Sequence, residues 1–162
     1  MISRRQFLRG DLSGRKTAPR PPWALAEADF LRACTRCGAC VPACPEHILH
    51  LVRGYPEVNF MLGACNFCGQ CVTACQPQAL RQDAGQAPWR LRARIAATCM
   101  AYRDVVCRSC GDACGEAAIR FSPRLGGAAL PAVLDARCTG CGACVAACPA
   151  GAVTMAAAGG TP

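Results

Sequence analysis

The chain contains few aromatic residues and no long apolar run. Phenylalanine, tryptophan and tyrosine together account for 6% of the 162 residues, so we expect a small apolar core. No stretch approaches the roughly 20 apolar residues that a transmembrane helix requires. The sequence also lacks a phosphate-binding glycine loop, a nucleophile with its base, and a nucleotide or flavin fingerprint. These absences argue against a membrane span and against an enzyme in its own right.

The N-terminal segment has only part of an export signal. Ser3, Arg4 and Arg5 resemble the twin-arginine motif. Such a signal continues into an apolar region, whereas residues 10–16 are polar and turn-prone. We therefore predict that residues 1–28 form a flexible basic arm without a signal function, and that the protein is cytoplasmic.

Cysteine is abundant, with 16 residues in four groups. Three groups have the Cys-x2-Cys-x2-Cys-x3-Cys spacing that bacterial ferredoxins use for 4Fe-4S clusters. Zinc and disulfides are the alternatives, and disulfides need an oxidising compartment. The regular short spacing favours iron–sulfur clusters. In chain order, the first to fourth runs are Cys34, Cys37, Cys40 and Cys44; Cys65, Cys68, Cys71 and Cys75; Cys99, Cys107, Cys110 and Cys114; and Cys138, Cys141, Cys144 and Cys148.

The runs repeat in register, because the same interval separates Cys34 from Cys65 and Cys44 from Cys75. We predict an α+β fold of tandem two-cluster ferredoxin-like units, with short hairpins, short helices and a small core. The predicted divisions are an arm (1–28), a first unit (29–84), a linker or edge strand (85–98), a second unit (99–157) and a tail (158–162).

Local patterns predict the elements of these units. We expect a helix over 24–33 and a helical turn after the fourth cysteine of each run. We also expect a hairpin with strands 48–52 and 58–60 around a turn at 53–57, a strand over 89–95, and a hairpin of strands 119–121 and 132–134.

The resemblance to two-cluster bacterial ferredoxins implies that the fourth cysteine of each run ligates the cluster of the other run. The third run departs from this pattern, because Asp104 stands where its first cysteine is expected. Either Cys99 completes the third set, or Asp104 or no residue does. The second case would give a labile or three-iron cluster. The chain would thus hold three to four 4Fe-4S clusters. The implied sets are Cys34, Cys37, Cys40 and Cys75; Cys65, Cys68, Cys71 and Cys44; Cys107, Cys110 and Cys148 with Cys99; and Cys138, Cys141, Cys144 and Cys114.

The net charge of +8 comes from 17 arginines and one lysine against ten acids. Each oxidised 4Fe-4S cluster with four thiolates carries about −2, so four clusters would bring the total to about zero. The arginines are scattered and not interleaved with aromatic residues, which argues against a nucleic-acid-binding face. Three of them alternate along 89–95, either as a charged guard of an edge strand or as a contact for an acidic partner.

Beyond the cysteine runs, the chain resembles the NapF family, the ferredoxin-type proteins of periplasmic nitrate reductase systems. The resemblance rests on the Ser-Arg-Arg arm and on three motifs: Pro21-Pro22-Trp23, Gly54-Tyr55-Pro56-x-Val58-Asn59-Phe60, and Cys99-x-Ala101-Tyr102-x-x-Val105-x-Cys107-Arg108.

This resemblance implies a cytoplasmic protein that contacts the catalytic molybdenum subunit, NapA, before its export and acts in its maturation. It also favours Cys99 over Asp104 as a ligand. Two alternative functions remain: a soluble electron carrier for a reductase or quinol-linked complex, and an interaction scaffold with structural clusters.

Overall fold

The computed structural model describes residues 19–158. Within this range the chain forms short helices and three separate two-stranded antiparallel sheets. The first part contains α1 (Glu27–Ala33), β1 (Leu49–Val52), β2 (Tyr55–Val58) and α2 (Gln70–Thr73). The second part contains β3 (Leu91–Ile95), a 3-10 helix (Met100–Arg103), α3 (Ser109–Asp112), β4 (Ile119–Arg124), β5 (Gly127–Val133), α4 (Ala143–Ala146) and β6 (Val153–Ala157). Residues 19–84 are called the first half below, and residues 85–158 the second half.

The first hairpin pairs β1 with β2, and its turn is shorter than predicted. Arg53 and Gly54 are its two central residues, with φ of 53° and 83°. Two successive positive φ angles define a type I′ turn, which joins two strands with only two residues. The predicted second strand over 58–60 is therefore wrong, because the tight turn starts this strand at Tyr55.

The second hairpin pairs β4 with β5 and is longer than the predicted strands 119–121 and 132–134. The residues between these strands were expected to form a loop because they include proline and glycine. Pro123 and Pro131 instead lie within the strands. A two-stranded sheet tolerates proline, because each strand has an edge without hydrogen bonds.

Strand β3 confirms the strand predicted over 89–95. It pairs along its whole length with β6, from Leu91 opposite Ala157 to Ile95 opposite Val153. The pairing attaches this stretch, which was predicted as a linker or edge strand, to the C-terminal strand of the second half.

Part of the predicted arm is packed against the first half. Trp23 is only 4% exposed. Its backbone carbonyl accepts from the backbone N–H of Arg81 (2.9 Å), and its backbone N–H donates to the carbonyl of Pro88, at the start of the second half (2.6 Å). Ala24 forms a bridge with Leu80, so the helix begins at Glu27 and not at the predicted residue 24. The rest of the predicted arm and the predicted tail beyond residue 158 lie outside the described residues.

One apolar core connects the two halves. Phe30, Ile48 and Leu80 from the first half belong to the same buried cluster as Ile119 and Val153 from the second. The resulting molecule is a mixed α/β protein with short elements, as predicted. No helix between residues 19 and 158 is long and apolar enough to cross a membrane.

Candidate iron–sulfur sites

The structure gathers the sixteen cysteines around four cavities, with four cysteines lining each. The four linings coincide with the four ligand sets expected from the sequence, although ligation itself stays a prediction. The first site contains Cys34, Cys37, Cys40 and Cys75. The second contains Cys44, Cys65, Cys68 and Cys71. The third contains Cys99, Cys107, Cys110 and Cys148, and the fourth contains Cys114, Cys138, Cys141 and Cys144.

This arrangement fits a group larger than one metal ion. Among residues 19–158, no three histidine, cysteine or acidic side chains converge closely enough to hold a single ion. A zinc site would draw its sulfurs to one point, whereas a 4Fe-4S core offers a separate iron to each thiolate. All sixteen cysteines are free thiols. The donor set therefore fits 4Fe-4S clusters.

Sheet pairing brings Cys99 to the third site. Beyond the last pair of β3 and β6, the N–H of Ala96 donates to the carbonyl of Ala152 (2.8 Å). The N–H of Cys99 then donates to the carbonyl of Ala96 (3.0 Å). Cys99 is 8% exposed and packs with Ala101, Ala152 and Cys148. The β3–β6 register thus places Cys99 beside Cys148.

Asp104, the alternative third-site ligand, does not line the third cavity. Its side chain is 62% exposed and forms an ion pair with Arg124 at the end of β4. Its backbone is left-handed, with φ of 61°, and ends the 3-10 helix. Asp104 therefore joins the 3-10 helix to the second hairpin.

The regular runs use left-handed backbone to wrap the chain around each site. The residue before the second cysteine has positive φ in all three, namely Arg36, Phe67 and Gly140. The residue after the second cysteine is always a left-handed glycine, namely Gly38, Gly69 and Gly142. Glycine adopts this conformation without the steric cost that a Cβ brings. The Cys-Gly-x-Cys pattern was a signal in the sequence for these turns.

The third run lacks both left-handed positions. Val106 precedes its second cysteine, and a β-branched residue strongly disfavours positive φ. Arg108 replaces the glycine and has φ of −131°. The N-terminal part of this run therefore does not wrap the site as the other runs do, and Cys99 arrives from a different direction.

The predicted helical turn after each fourth cysteine is wrong. In the last three runs the turn lies before that cysteine, as α2, α3 and α4. Three residues after each fourth cysteine stands a left-handed residue: His47, Gln78, Ala117 or Gly151. This reversal turns later amides back toward the sulfur in three sites. Leu80 donates to Cys75 Sγ (3.4 Å), Ala118 to Cys114 Sγ (3.3 Å) and Ala152 to Cys148 Sγ (3.2 Å).

Burial distinguishes the thiols within a run. The third cysteine of every run is buried. Burial raises the pKa of Cys40 and Cys110 to about 11, and that of Cys71 and Cys144 to about 12. Cys37 is exposed, and backbone N–H groups led by that of Ala39 lower its pKa. Iron binding requires thiolates, so the buried thiols must release protons when they bind iron.

These features define what the chain contributes to the chemistry. A bound 4Fe-4S cluster supplies reversible one-electron transfer, and the protein adjusts its potential through burial and hydrogen bonds to sulfur. Here the buried third cysteines reduce solvent access, and backbone N–H···S bonds to Cys65, Cys75, Cys114 and Cys148 stabilise negative charge on sulfur.

Two of the three arginines in the predicted strand 89–95, Arg92 and Arg94, are engaged within the protein. Arg94 pairs with the carboxylate of Asp135 (2.8 Å), and Arg92 donates to the backbone carbonyl of the same residue (2.8 Å). The first contact lowers the pKa of Asp135. These bonds hold the segment before the fourth run, which favours a structural role over contact with an acidic partner.

Comparisons with known proteins agree with the site geometry. The chain matches the 4Fe-4S dicluster domain family at residues 33–79 and 105–152. Two such domains and sixteen cysteines correspond to about four 4Fe-4S clusters, which confirms the predicted cofactor. The second match begins after Cys99, so the general dicluster pattern does not include this residue.

Relatives are similar over almost the whole chain. The ferredoxin-type protein NapF of Escherichia coli strain K12 is 43% identical over 153 residues, covering 94% of this chain and 93% of the relative. NapF of Haemophilus influenzae strain KW20 is 43% identical over 167 residues, covering 95% and 93%.

More distant similarity extends to a second group of ferredoxin-type proteins. The methylamine utilization ferredoxin-type protein MauM of Methylophilus methylotrophus is 35% identical over 146 residues, covering 77% of this chain and 63% of the relative. No solved structure matches the chain. The extent of the NapF similarity, together with the two dicluster domains, shows that the chain belongs to the NapF family of ferredoxin-type iron–sulfur proteins.

Proposed function

We propose that the protein is a cytoplasmic, non-catalytic accessory factor for the periplasmic nitrate reductase. It binds the unexported catalytic molybdenum subunit, NapA, and acts in the maturation of that subunit before export. The observation that carries this proposal is the third site, where Cys99 stands in place of the expected first cysteine. The same altered run was the most specific part of the resemblance to NapF.

The proposal includes the ligands of each cluster. The first, second and fourth sites each hold one 4Fe-4S cluster through two runs that exchange their fourth cysteines. The third site holds its cluster through Cys99, Cys107, Cys110 and Cys148, which together line one cavity. Asp104 is not a ligand, since its carboxylate is paired with Arg124 outside this lining.

An anaerobic capture experiment tests the function. Tagged protein with intact clusters is incubated with cytoplasm from nitrate-respiring cells, and the retained proteins are identified by mass spectrometry. We expect the catalytic subunit to be retained with its export signal still attached. A control with tagged Asp83→Asn protein should retain equal amounts, because Asp83 is exposed and pairs only with Arg81 nearby. Failure to retain the precursor on fully loaded protein would contradict the proposed function.

A soluble electron carrier is the second candidate. It is supported by the exposure of Cys37 and Cys68, which bring a ligand of the first and second sites to the surface. A carrier would be rapidly and reversibly reduced at low potential and would form only transient complexes. Capture of no stable partner, combined with rapid reduction by a cellular reductase, would support this function over maturation.

A further inference from the structure

The two halves of the molecule meet through the cysteine loops themselves. The backbone N–H of Cys65, in the second site, donates to the backbone carbonyl of Cys141, in the fourth site, at 2.8 Å. Among residues 19–158, no other hydrogen bond joins a cysteine of the first half to a cysteine of the second. The second and fourth sites are therefore the pair that faces across the boundary.

Aromatic side chains fix this contact. The ring of Trp89 lies edge-on to Phe60 and to Phe67, with ring centroids 5.6 and 5.7 Å away. Its indole N–H donates to the carbonyl of Thr139 (3.2 Å), two residues before Cys141. Phe67 lies between the second-site ligands Cys65 and Cys68. Trp89 thus connects the second run to the fourth run directly.

Gly142 allows the loops to approach this closely. It follows Cys141, has φ of 85°, and leaves no space for a side chain, since a Cβ would overlap the ring of Phe60. Its left-handed backbone is part of the ordinary wrapping of a regular run. Its contact with Phe60 is an additional constraint, and it concerns only the boundary between the halves.

Within each half the two sites interlock. Cys44 leaves the first run to line the second site, and Cys75 leaves the second run to line the first site. Cys114 and Cys148 make the same exchange between the third and fourth sites. With the contact between Cys65 and Cys141, these exchanges fix the spatial order as first, second, fourth, third.

We propose that the hydrogen-bonded backbone of Cys65 and Cys141 is the path for electron transfer between the second and fourth sites, and we call this contact the junction. It joins the four sites into a single row, with the first and third sites at its ends. The proposal rests on the ligand sets of the proposed function. An exchange across the junction moves one electron: one inner site is oxidised by one electron and the other is reduced by one. No bond breaks and no proton moves. The altered third site would then be a terminus, reached from the first half only through the fourth site.

Two variants of the full-length protein, each with two ligands removed from two sites, test the order of the row. Cys34→Ala and Cys37→Ala with Cys107→Ala and Cys110→Ala remove the first and third sites and leave the two inner sites. Cys34→Ala and Cys37→Ala with Cys138→Ala and Cys144→Ala remove the first and fourth and leave the second and third. Each variant is reduced anaerobically with a europium(II) chelate, and its electron paramagnetic resonance spectrum is recorded. Reduction is needed because one-electron-reduced 4Fe-4S clusters are paramagnetic.

We expect a spectrum broadened and split by spin–spin interaction in the first variant, and two superposed, non-interacting signals in the second. The reverse result, or no interaction in either variant, would overturn the junction. Each variant should contain about eight iron atoms per chain, because two 4Fe-4S sites remain. A different iron content in both variants would instead refute the ligand sets, and with them the basis of the proposed function.

A pair of glycine variants tests the junction with all four sites intact. Gly142→Ala forces Phe60 to move, whereas Gly115→Ala introduces a Cβ into open space. We expect the interaction spectrum of the reduced protein to change in Gly142→Ala and to stay the same in Gly115→Ala. An unchanged spectrum in loaded Gly142→Ala protein would contradict the proposal.

Discussion

In the first half, the chain reaches Cys34 through a bridge between Ala24 and Leu80 and then helix α1. In the second half, the corresponding segment is the five-residue strand β3, paired along its length with β6, and a 3-10 helix follows it. Each segment places one buried residue against its cavity: Phe30 at the first site and Cys99 at the third.

The difference between the halves shows that a cysteine can be brought to a cavity by sheet pairing as well as by the wrapping of a run. Where the run is regular, left-handed residues on both sides of the second cysteine fold the chain around the site. Where the third run lacks them, the pairing of β3 with β6 brings Cys99 to the same cavity as Cys148. The first half depends on local turns, and the third site depends on a contact between distant segments.

The largest expected effect concerns the segment at the start of the first half. Trp23 is buried, and the segment around it forms only the bridge between Ala24 and Leu80, whereas the corresponding segment of the second half forms a complete two-stranded sheet. Trp23→Ala should therefore cost about 3–5 kcal/mol of unfolding free energy. The same change at Trp89, which is less buried, should cost less. Denaturant unfolding of the loaded proteins under anaerobic conditions measures both. If both variants lost the same free energy of unfolding, the first half would not depend on Trp23 more strongly than the second half depends on Trp89.

A smaller effect should distinguish the regular runs from the altered run. Gly69 has φ of 74°, and a Cβ there would meet only Gln82 at 3.7 Å. Gly69→Ala should therefore cost about 1–2 kcal/mol from backbone strain alone. At the corresponding position in the third run, Arg108→Ala adds no such strain and removes only the stacking of Arg108 on Phe121, which should cost about 0.5–1 kcal/mol.

The outcome is judged from unfolding free energies measured on proteins of equal iron content. If Arg108→Ala destabilised the protein more than Gly69→Ala does, this result would contradict the role assigned to left-handed glycine in the regular runs.

The smallest effect concerns an ion pair that the first half uses to hold α1. Arg20 contacts Glu27 at 2.7 Å and stacks over Phe30. This contact lowers the pKa of Glu27 from its ordinary value of 4.5. Its stabilisation is therefore complete above that value and is lost as the pH falls through the lowered pKa. Glu27→Gln should cost about 0.5 kcal/mol at pH 7, because the pair is partly exposed and screened by water.

The salt dependence of this loss provides the check. In 1 M salt the difference between wild type and Glu27→Gln should shrink, since the Debye length falls to about 3 Å. A loss that is the same at low and high salt would show that Glu27 acts through packing and not through its charge.

Much of the site was predictable because its chemistry is local in sequence. Short cysteine spacings predicted the groups, and the resemblance to two-cluster ferredoxins implied which run provides its fourth cysteine to which site. The tight turn at Arg53 and Gly54 was missed because proline and glycine nearby suggested a longer turn. The strand residues around Pro123 and Pro131 were missed for a similar reason, because the prolines suggested a loop.

Contacts between the halves could not be predicted from the same patterns. The meeting of Phe60 with Gly142 and the position of Trp89 result from packing between distant segments, which leaves no periodic signal in the sequence. The place of Cys99 is an intermediate case. Its spacing suggested an unusual ligand, but only the register of β3 with β6 explains how it reaches the cavity.

The measurement that tests the account most directly compares Cys99→Ala with Asp104→Ala. Both proteins are purified anaerobically, their iron and sulfide contents are determined, and electron paramagnetic resonance spectra are recorded in the oxidised state. We predict that Asp104→Ala retains the wild-type iron content and spectrum. Cys99→Ala should lose up to about four iron atoms per chain or show the signal of a three-iron cluster. Full iron content and an unchanged spectrum in Cys99→Ala, with iron loss in Asp104→Ala, would contradict the account.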